Sequence, residues 1–191
     1  MKSTIGRIAS VAGLALTLLT ASAAAQAQNI KLATSMGDIV IELNAKAAPK
    51  TVDNFLQYVK SGHYDGTIFH RVIDGFMIQG GGMNKDMSEK PTRAPIPLES
   101  RNGLRNERGT LAMARTSDPN SATAQFFVNL KDNTFLDAQN SPDGNGYAVF
   151  GKVTKGMDIV DRIRAVPTGN AGMHQDVPKT PVLITKATVE K

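Results

Sequence analysis

The chain has 191 residues, with 22 Lys and Arg against 17 Asp and Glu, three histidines and no cysteine. That length suits one domain plus a targeting segment, and 41% hydrophobic with 20% charged residues excludes wholesale disorder. The absence of cysteine excludes a disulfide framework, a thiolate nucleophile or an iron–sulfur site, and His63, His70 and His174 stand in no HxH or HExxH spacing, so no metal is expected.

Lys2 and Arg7, the apolar run from Val11 to Leu19 and the small residues ending in Ala25-Gln26-Ala27 read as a secretory signal peptide. The run is far short of the roughly 20 apolar residues that cross a bilayer. Cleavage is expected between Ala27 and Gln28, with cleavage after Ala25 as the alternative, leaving residues 28–191 as one mature domain. It removes two of the 22 positive charges and none of the 17 negative ones, so the mature chain carries a net +3. That mild charge gives no electrostatic case for nucleic acid as a partner. No later segment is long and apolar enough to span a membrane, so the product is expected to be soluble and exported.

Two alternating runs, Ile30–Thr34 and Ile39–Leu43, flank Met36-Gly37-Asp38 and predict a β-hairpin. Pro49 opens an amphipathic helix of about 12 residues, with Val52, Phe55, Leu56 and Val59 on one face and Gly62 just beyond. Short strands separated by glycine follow at Thr67–Ile73, Phe76–Gly80, Gly109–Arg115, Gln125–Leu130, Tyr147–Val153 and Val182–Val189. Met157–Val166 fits a second helix, with Ile159, Val160, Ile163 and Val166 on its apolar side. Met83–Glu99 and Asp137–Gly146 read as irregular excursions. About eight short strands with one helix near each end predict a mainly β fold: a closed antiparallel barrel whose helices plug its open ends.

Several chemistries fall away. Gly146–Lys152 matches the start of a phosphate-binding loop, but Val153 replaces the required Ser or Thr and the intervening residues form a strand. There is no G-x-S-x-G nucleophile elbow. In Phe69–Ile73, strict alternation would put Phe69, Arg71 and Ile73 on one face and His70 on the other. From spacing alone, Arg71 reads as a cation reaching out to a nearby carboxylate, and Gln125–Leu130 as a core strand with Gln125 at its margin.

Taken together, Phe69-His70-Arg71-Val72-Ile73, Gly75-Phe76-Met77-Ile78-Gln79-Gly80-Gly81, Gly109-Thr110-Leu111-Ala112-Met113-Ala114, Gln125-Phe126-Phe127 and Val149-Phe150-Gly151-Lys152-Val153 resemble the cyclophilin family of peptidyl-prolyl cis-trans isomerases. Order and spacing hold from about Ile30 to Val189, and the leading segment makes the chain similar to the periplasmic cyclophilins of Gram-negative bacteria. The resemblance implies an eight-stranded antiparallel barrel capped by two helices, acting without cofactor on X-Pro bonds of unfolded or partly folded exported polypeptides. It makes Arg71 the catalytic arginine, with Phe76, Met77, Phe127 and Leu136 lining the proline pocket and Gln79 contacting the peptide backbone. Ala114, Gln125 and the backbone of Arg115 fall at neighbouring groove positions. Phe135 stands where many members carry tryptophan, and Tyr147 where many carry histidine on the pocket rim. The first departure implies weak cyclosporin binding. Ser117-Asp118-Pro119 is one residue longer than usual, so no groove roles carry over there. His70 is expected to be structural, and the protein a monomer, because no apolar stripe is left over. A proline-peptide-binding module without turnover is the alternative.

Overall fold

The computed structural model describes residues 28–190. The expected signal peptide, residues 1–27, lies outside the described residues.

The first two strands, β1 (Gln28–Thr34) and β2 (Gly37–Leu43), form the predicted hairpin; buried residues alternate along β1, while in β2 Ile39, Val40 and Ile41 are all buried. Helix α1 (Pro49–Lys60) follows, with proline in its first turn. No side chain of its own caps it. Instead the Glu99 carboxylate, delivered by the long excursion, accepts the Lys50 N–H at 3.1 Å, the Thr51 N–H at 2.8 Å and the Thr51 hydroxyl at 2.7 Å. These satisfy donors that an α-helix N-terminus leaves unpaired.

Strands β3 (Thr67–Ile73), β4 (Met77–Asn84), β5 (Thr110–Met113), β6 (Phe126–Asn129) and β7 (Val149–Lys155) come next, with a 3-10 turn at Thr134–Leu136. Helix α2 (Met157–Arg164) carries Asp158 in its first turn and Arg162 and Arg164 in its last, the arrangement its dipole favours. A hairpin of β8 (Thr168–Ala171) and β9 (His174–Pro178) and a last strand, β10 (Ile184–Glu190), complete the chain.

Eight strands make one curled antiparallel sheet in the order β10-β1-β2-β7-β5-β6-β4-β3. Its two edges meet at a single bridge between Ile68 and Leu183, flanked by hydrogen bonds from Gly66 N–H to Ile184 O (2.8 Å) and Phe69 N–H to Val182 O (2.9 Å). The barrel expected from the sequence is present, but it is closed at this bridge and not by a continuous ladder. The β8–β9 hairpin, which the sequence reading did not predict, pairs only within itself and packs on β3.

Inside the barrel, α1 inserts Phe55 between Tyr64, Phe126 and Phe150, with ring centroids 5.0–5.5 Å apart. At the other helix, Ile159, Val160 and Ile163 are buried as α2 packs on β2, β3 and β4. A second apolar cluster, Met77, Ala112, Phe127, Leu136 and Val149, lies apart from this core. Alternation explains the division: on β6, Phe126 and Val128 join the interior while Phe127 joins the second cluster.

Candidate active site

The second cluster floors a cavity of about 180 Å³ lined by Arg71, Phe76, Met77, Gln79, Ala114, Arg115, Phe127, Leu136 and Tyr147. Neighbouring strands of one sheet supply most of it. Met77 and Gln79 come from β4 and Phe127 from β6, where Gln79 and Phe127 are paired across the ladder. Ala114 directly follows β5, donating its N–H to Gln125 O at 3.0 Å. The remaining wall comes from the 3-10 turn, which delivers Leu136, and the loop before β7, which delivers Tyr147.

Arg71 reaches this face through an irregularity. Between Phe69 and Arg71, β3 advances two residues while β4 advances one, from Gly80 to Gln79. The extra residue is a bulge, which re-aims the side chains beyond it. Phe69 therefore packs in the barrel interior while Arg71 borders the cavity and Ile73 packs on the second cluster. The expectation that Phe69, Arg71 and Ile73 share one face is thus overturned, because strict alternation assumes an unbroken ladder. His70 is also not simply opposite Arg71, since both border the neighbouring groove.

His70 is nevertheless buried, and its pKa is lowered to about 4, first by burial and then by the nearby charges of His174 and Arg71. A neutral imidazole is the result near pH 7. Arg71 is half-exposed, with its Nε 3.9 Å from Asp176 Oδ2 on the β8–β9 hairpin. That separation is too long for a hydrogen bond, so the guanidinium keeps its donors for a ligand.

Gln125 lies outside the cavity, but its Oε1 accepts the Gln79 Nε2–H at 2.8 Å and so orients the glutamine that is inside. Phe135 is half-exposed and stacks on Phe76 at 5.7 Å, forming an outer shoulder. Nine of the eleven residues expected at the site line one cavity, and the other two contact its lining.

A buried polar network fixes the part of the wall that carries Phe76 and Leu136. Asn133 Nδ2 donates to Phe76 O (2.9 Å) and Asn129 Oδ1 (2.8 Å), while Asn129 Nδ2 donates to Thr110 Oγ1 (3.0 Å) and Asn106 Oδ1 (3.2 Å). Asp137 Oδ1 in turn accepts the Asn106 N–H at 2.8 Å. These hydrogen bonds tie the wall to β5 and β6, although Asn133 Oδ1 and Asp137 Oδ2 are buried without a partner. The sequence reading missed these asparagines, as it missed Asp176, because no spacing distinguishes a buried asparagine from one in an ordinary turn.

A more open depression of about 530 Å³ runs over Leu98–Asn102, Pro119, Asn120 and Asn145. Its main polar groups are already committed: Glu99 to α1, Arg101 to Gly144 O and Asn102 to Val149 O.

Comparison with known proteins agrees with this geometry. The family described as cyclophilin type peptidyl-prolyl cis-trans isomerase/CLD matches residues 29–189. Peptidyl-prolyl cis-trans isomerase cyp18 of Streptomyces antibioticus is 62% identical over 161 residues, covering 84% of this chain and 97% of that protein. Peptidyl-prolyl cis-trans isomerase B of Escherichia coli K12 is 57% identical over 159 residues, covering 83% and 97%. The crystal structure of a cyclophilin type isomerase from Cryptosporidium parvum, in the presence of the dipeptide Ala-Pro, superposes with a TM-score of 0.71 at 28% identity, covering 86% of this chain and 99% of that one.

Proposed function

The chain belongs to the cyclophilin-type peptidyl-prolyl cis-trans isomerases, and from that premise we propose that Arg71 is its catalytic residue, that Phe76, Met77, Phe127 and Leu136 take the substrate proline, and that its clients are exported polypeptides. The observation that carries this reading is a guanidinium with uncommitted donors at the edge of a cavity of about 180 Å³ floored by Met77, Phe127 and Leu136.

The reaction rotates an X-Pro bond and makes or breaks nothing covalent. Its barrier of about 18–20 kcal/mol is amide resonance, which the twisted state loses. Uncatalysed exchange takes about 10–100 s, and about 10³ turnovers per second requires removing about 7 kcal/mol. In the twisted state the proline nitrogen regains its lone pair and becomes a better hydrogen-bond acceptor. The Arg71 guanidinium beside it then stabilises the transition state more than the planar ground state, which is what catalysis requires. The apolar walls hold the pyrrolidine ring and exclude water, strengthening the guanidinium's field. Gln79, with one N–H given to Gln125, keeps its carbonyl and second N–H for the peptide backbone. It restrains one side of the bond while the other turns. No step needs a titrating base, a metal or a cofactor.

The charged start, apolar run and small-residue exit of residues 1–27 support export to the periplasm. Gln28 pairs with Leu43, so cleavage after Ala27 leaves the β1–β2 ladder whole. N-terminal sequencing of the protein from an extracytoplasmic fraction should begin at Gln28. An intact Met1 in the cytosol would remove the export reading while leaving the enzymology untouched.

Refolding of a secreted protein limited by proline isomerisation tests the catalytic reading. The slow phase should accelerate in proportion to added wild-type enzyme and lose nearly all that acceleration with Arg71→Ala. Equal acceleration by both proteins would take the catalytic role away from Arg71.

A further inference from the structure

Two residues of the cavity wall, Arg115 and Tyr147, are joined in a way the reaction does not itself require. The Arg115 side chain is only 3% exposed although it is charged. Its Nε donates to Gly146 O (2.9 Å), its Nη1 to Thr116 O (2.9 Å) and its Nη2 to Asp143 Oδ2 (2.5 Å). The guanidinium carbon stands 4.7 Å from the centre of the Tyr147 ring, whose other neighbour is Phe127, edge-on at 5.6 Å.

Resting on the reading of this cavity as the proline pocket, we propose that Arg115 is a positioning residue: anchored by Asp143 and the Gly146 carbonyl, it fixes Tyr147 as the pocket wall and thereby sets affinity for the prolyl ring, not the rate of rotation.

A buried cation is costly unless its donors are met and its charge is paired. Here both conditions hold, and only a planar fork can meet three acceptors while laying its face on an aromatic ring. Lysine would keep the charge and lose the geometry. The anchor is itself organised. Asp143 also accepts the Ser141 hydroxyl (2.6 Å), the Asn145 N–H (2.9 Å) and the Gly146 N–H (3.2 Å). The Ser141 and backbone hydrogen bonds, with Arg115, hold its carboxyl well below the usual carboxylate range. The loop from Ser141 to Gly146 is therefore wound round one carboxylate, and Tyr147 closes it by donating its N–H to Leu136 O at 2.9 Å. Residues on three separate segments meet at one ring. None of Arg115's polar contacts involves Arg71 or Gln79, which is why its influence belongs to binding.

The test compares Arg115→Lys, Asp143→Asn and, as control, Arg108→Lys. Arg108 also pairs with a carboxylate, its Nη2 donating to both oxygens of Asp161 (2.9 and 2.8 Å), but it does not line the cavity. Turnover of an Ala-Pro peptide and the NMR signals of the Tyr147 ring and the Met77 methyl are followed together. The first two variants should raise KM about five- to tenfold with kcat within about twofold, and should shift the Tyr147 ring signals. Arg108→Lys should change neither. Unchanged KM and ring signals in both variants, or a fall in kcat at constant KM, would overturn the proposal. Asp143 is 40% exposed and asparagine there keeps the Oδ1 that the Ser141, Asn145 and Gly146 hydrogen bonds use, so failure of Arg115→Lys to fold leaves the question decidable. A peptide that leaves the wild-type Met77 methyl unmoved would remove the pocket reading itself, and the positioning role with it. A moved methyl with unaltered variants would remove the positioning role alone.

Discussion

The Arg71 side chain is 45% exposed and its nearest carboxylate, Asp176, is 41% exposed. An ion pair in such a setting contributes little to stability, about 0–1 kcal/mol. Replacing Arg71 should therefore cost activity and leave the melting temperature nearly unchanged. Its neighbour His70 behaves oppositely. With a pKa lowered to about 4 by burial, it is uncharged through the neutral range and offers no group that titrates near pH 7. The isomerase rate should accordingly be flat from about pH 5.5 to 8. A sigmoid within that window would bring a titrating group back into the reaction. Stability carries the other consequence. The folded pKa of His70 lies below its unfolded value of 6.5, so its contribution is fully present above pH 6.5 and declines as pH falls toward about 4. Unfolding midpoints measured across that window should fall, and a His70→Gln variant should flatten the dependence. Phe135 is the third residue with a readable consequence. It is half-exposed and stacks on Phe76, so Phe135→Trp should tighten cyclosporin binding severalfold by adding buried aromatic area. A titration showing no gain would mean the shoulder does not touch that ligand.

Periodicity carried the elements whose faces differ in burial. The α1 stripe of Val52, Phe55, Leu56 and Val59 and the alternation of β1 are legible because one side of each is inside. The β8–β9 hairpin was not, since its residues are mostly half-exposed and polar, and only Val177 and Pro178 are buried. Its one local sign is Gly172, with φ +60 at the turn. The bulge before Arg71 left no sign either, because an inserted residue changes register without changing composition. For the site itself, the residues were legible through family resemblance and not through spacing, which alone made Arg71 a surface cation. Two element-level consequences follow from the geometry. Gly146 has φ +61, and a Cβ there would lie 2.5 Å from the backbone at Leu136 O and Ala138 N. Gly146→Ala should cost about 1–3 kcal/mol and loosen the Tyr147 wall, visible as a lower unfolding midpoint in urea. Glu99→Ala should remove the N-terminal cap of α1 at a cost of about 1 kcal/mol, lowering the melting temperature by about 2–4 °C while leaving the peptide KM alone.

At the scale of the molecule, one sheet serves two apolar regions. Its inner face and α1 form the large core around Phe55, Phe126 and Phe150, while outward residues of the same strands build the cavity floor. This arrangement keeps the cavity on rigid elements, which is how a reactive geometry is held to within a fraction of an ångström. It also separates stability from function: Phe55→Ala should cost about 3–5 kcal/mol yet leave the site's chemistry in whatever fraction remains folded. In the proposed function, Arg71 turns this cavity from a proline-binding site into a rotation catalyst. NMR exchange spectroscopy on an Ala-Pro peptide, with wild-type residues 28–191 and Arg71→Ala in parallel, tests it most directly. Cis/trans exchange should be rapid with the wild type and reduced at least about 100-fold in the variant, which loses about 3 kcal/mol of transition-state stabilisation. Binding shifts accompanied by exchange no faster than in the free peptide, or equal exchange with both proteins, would contradict it.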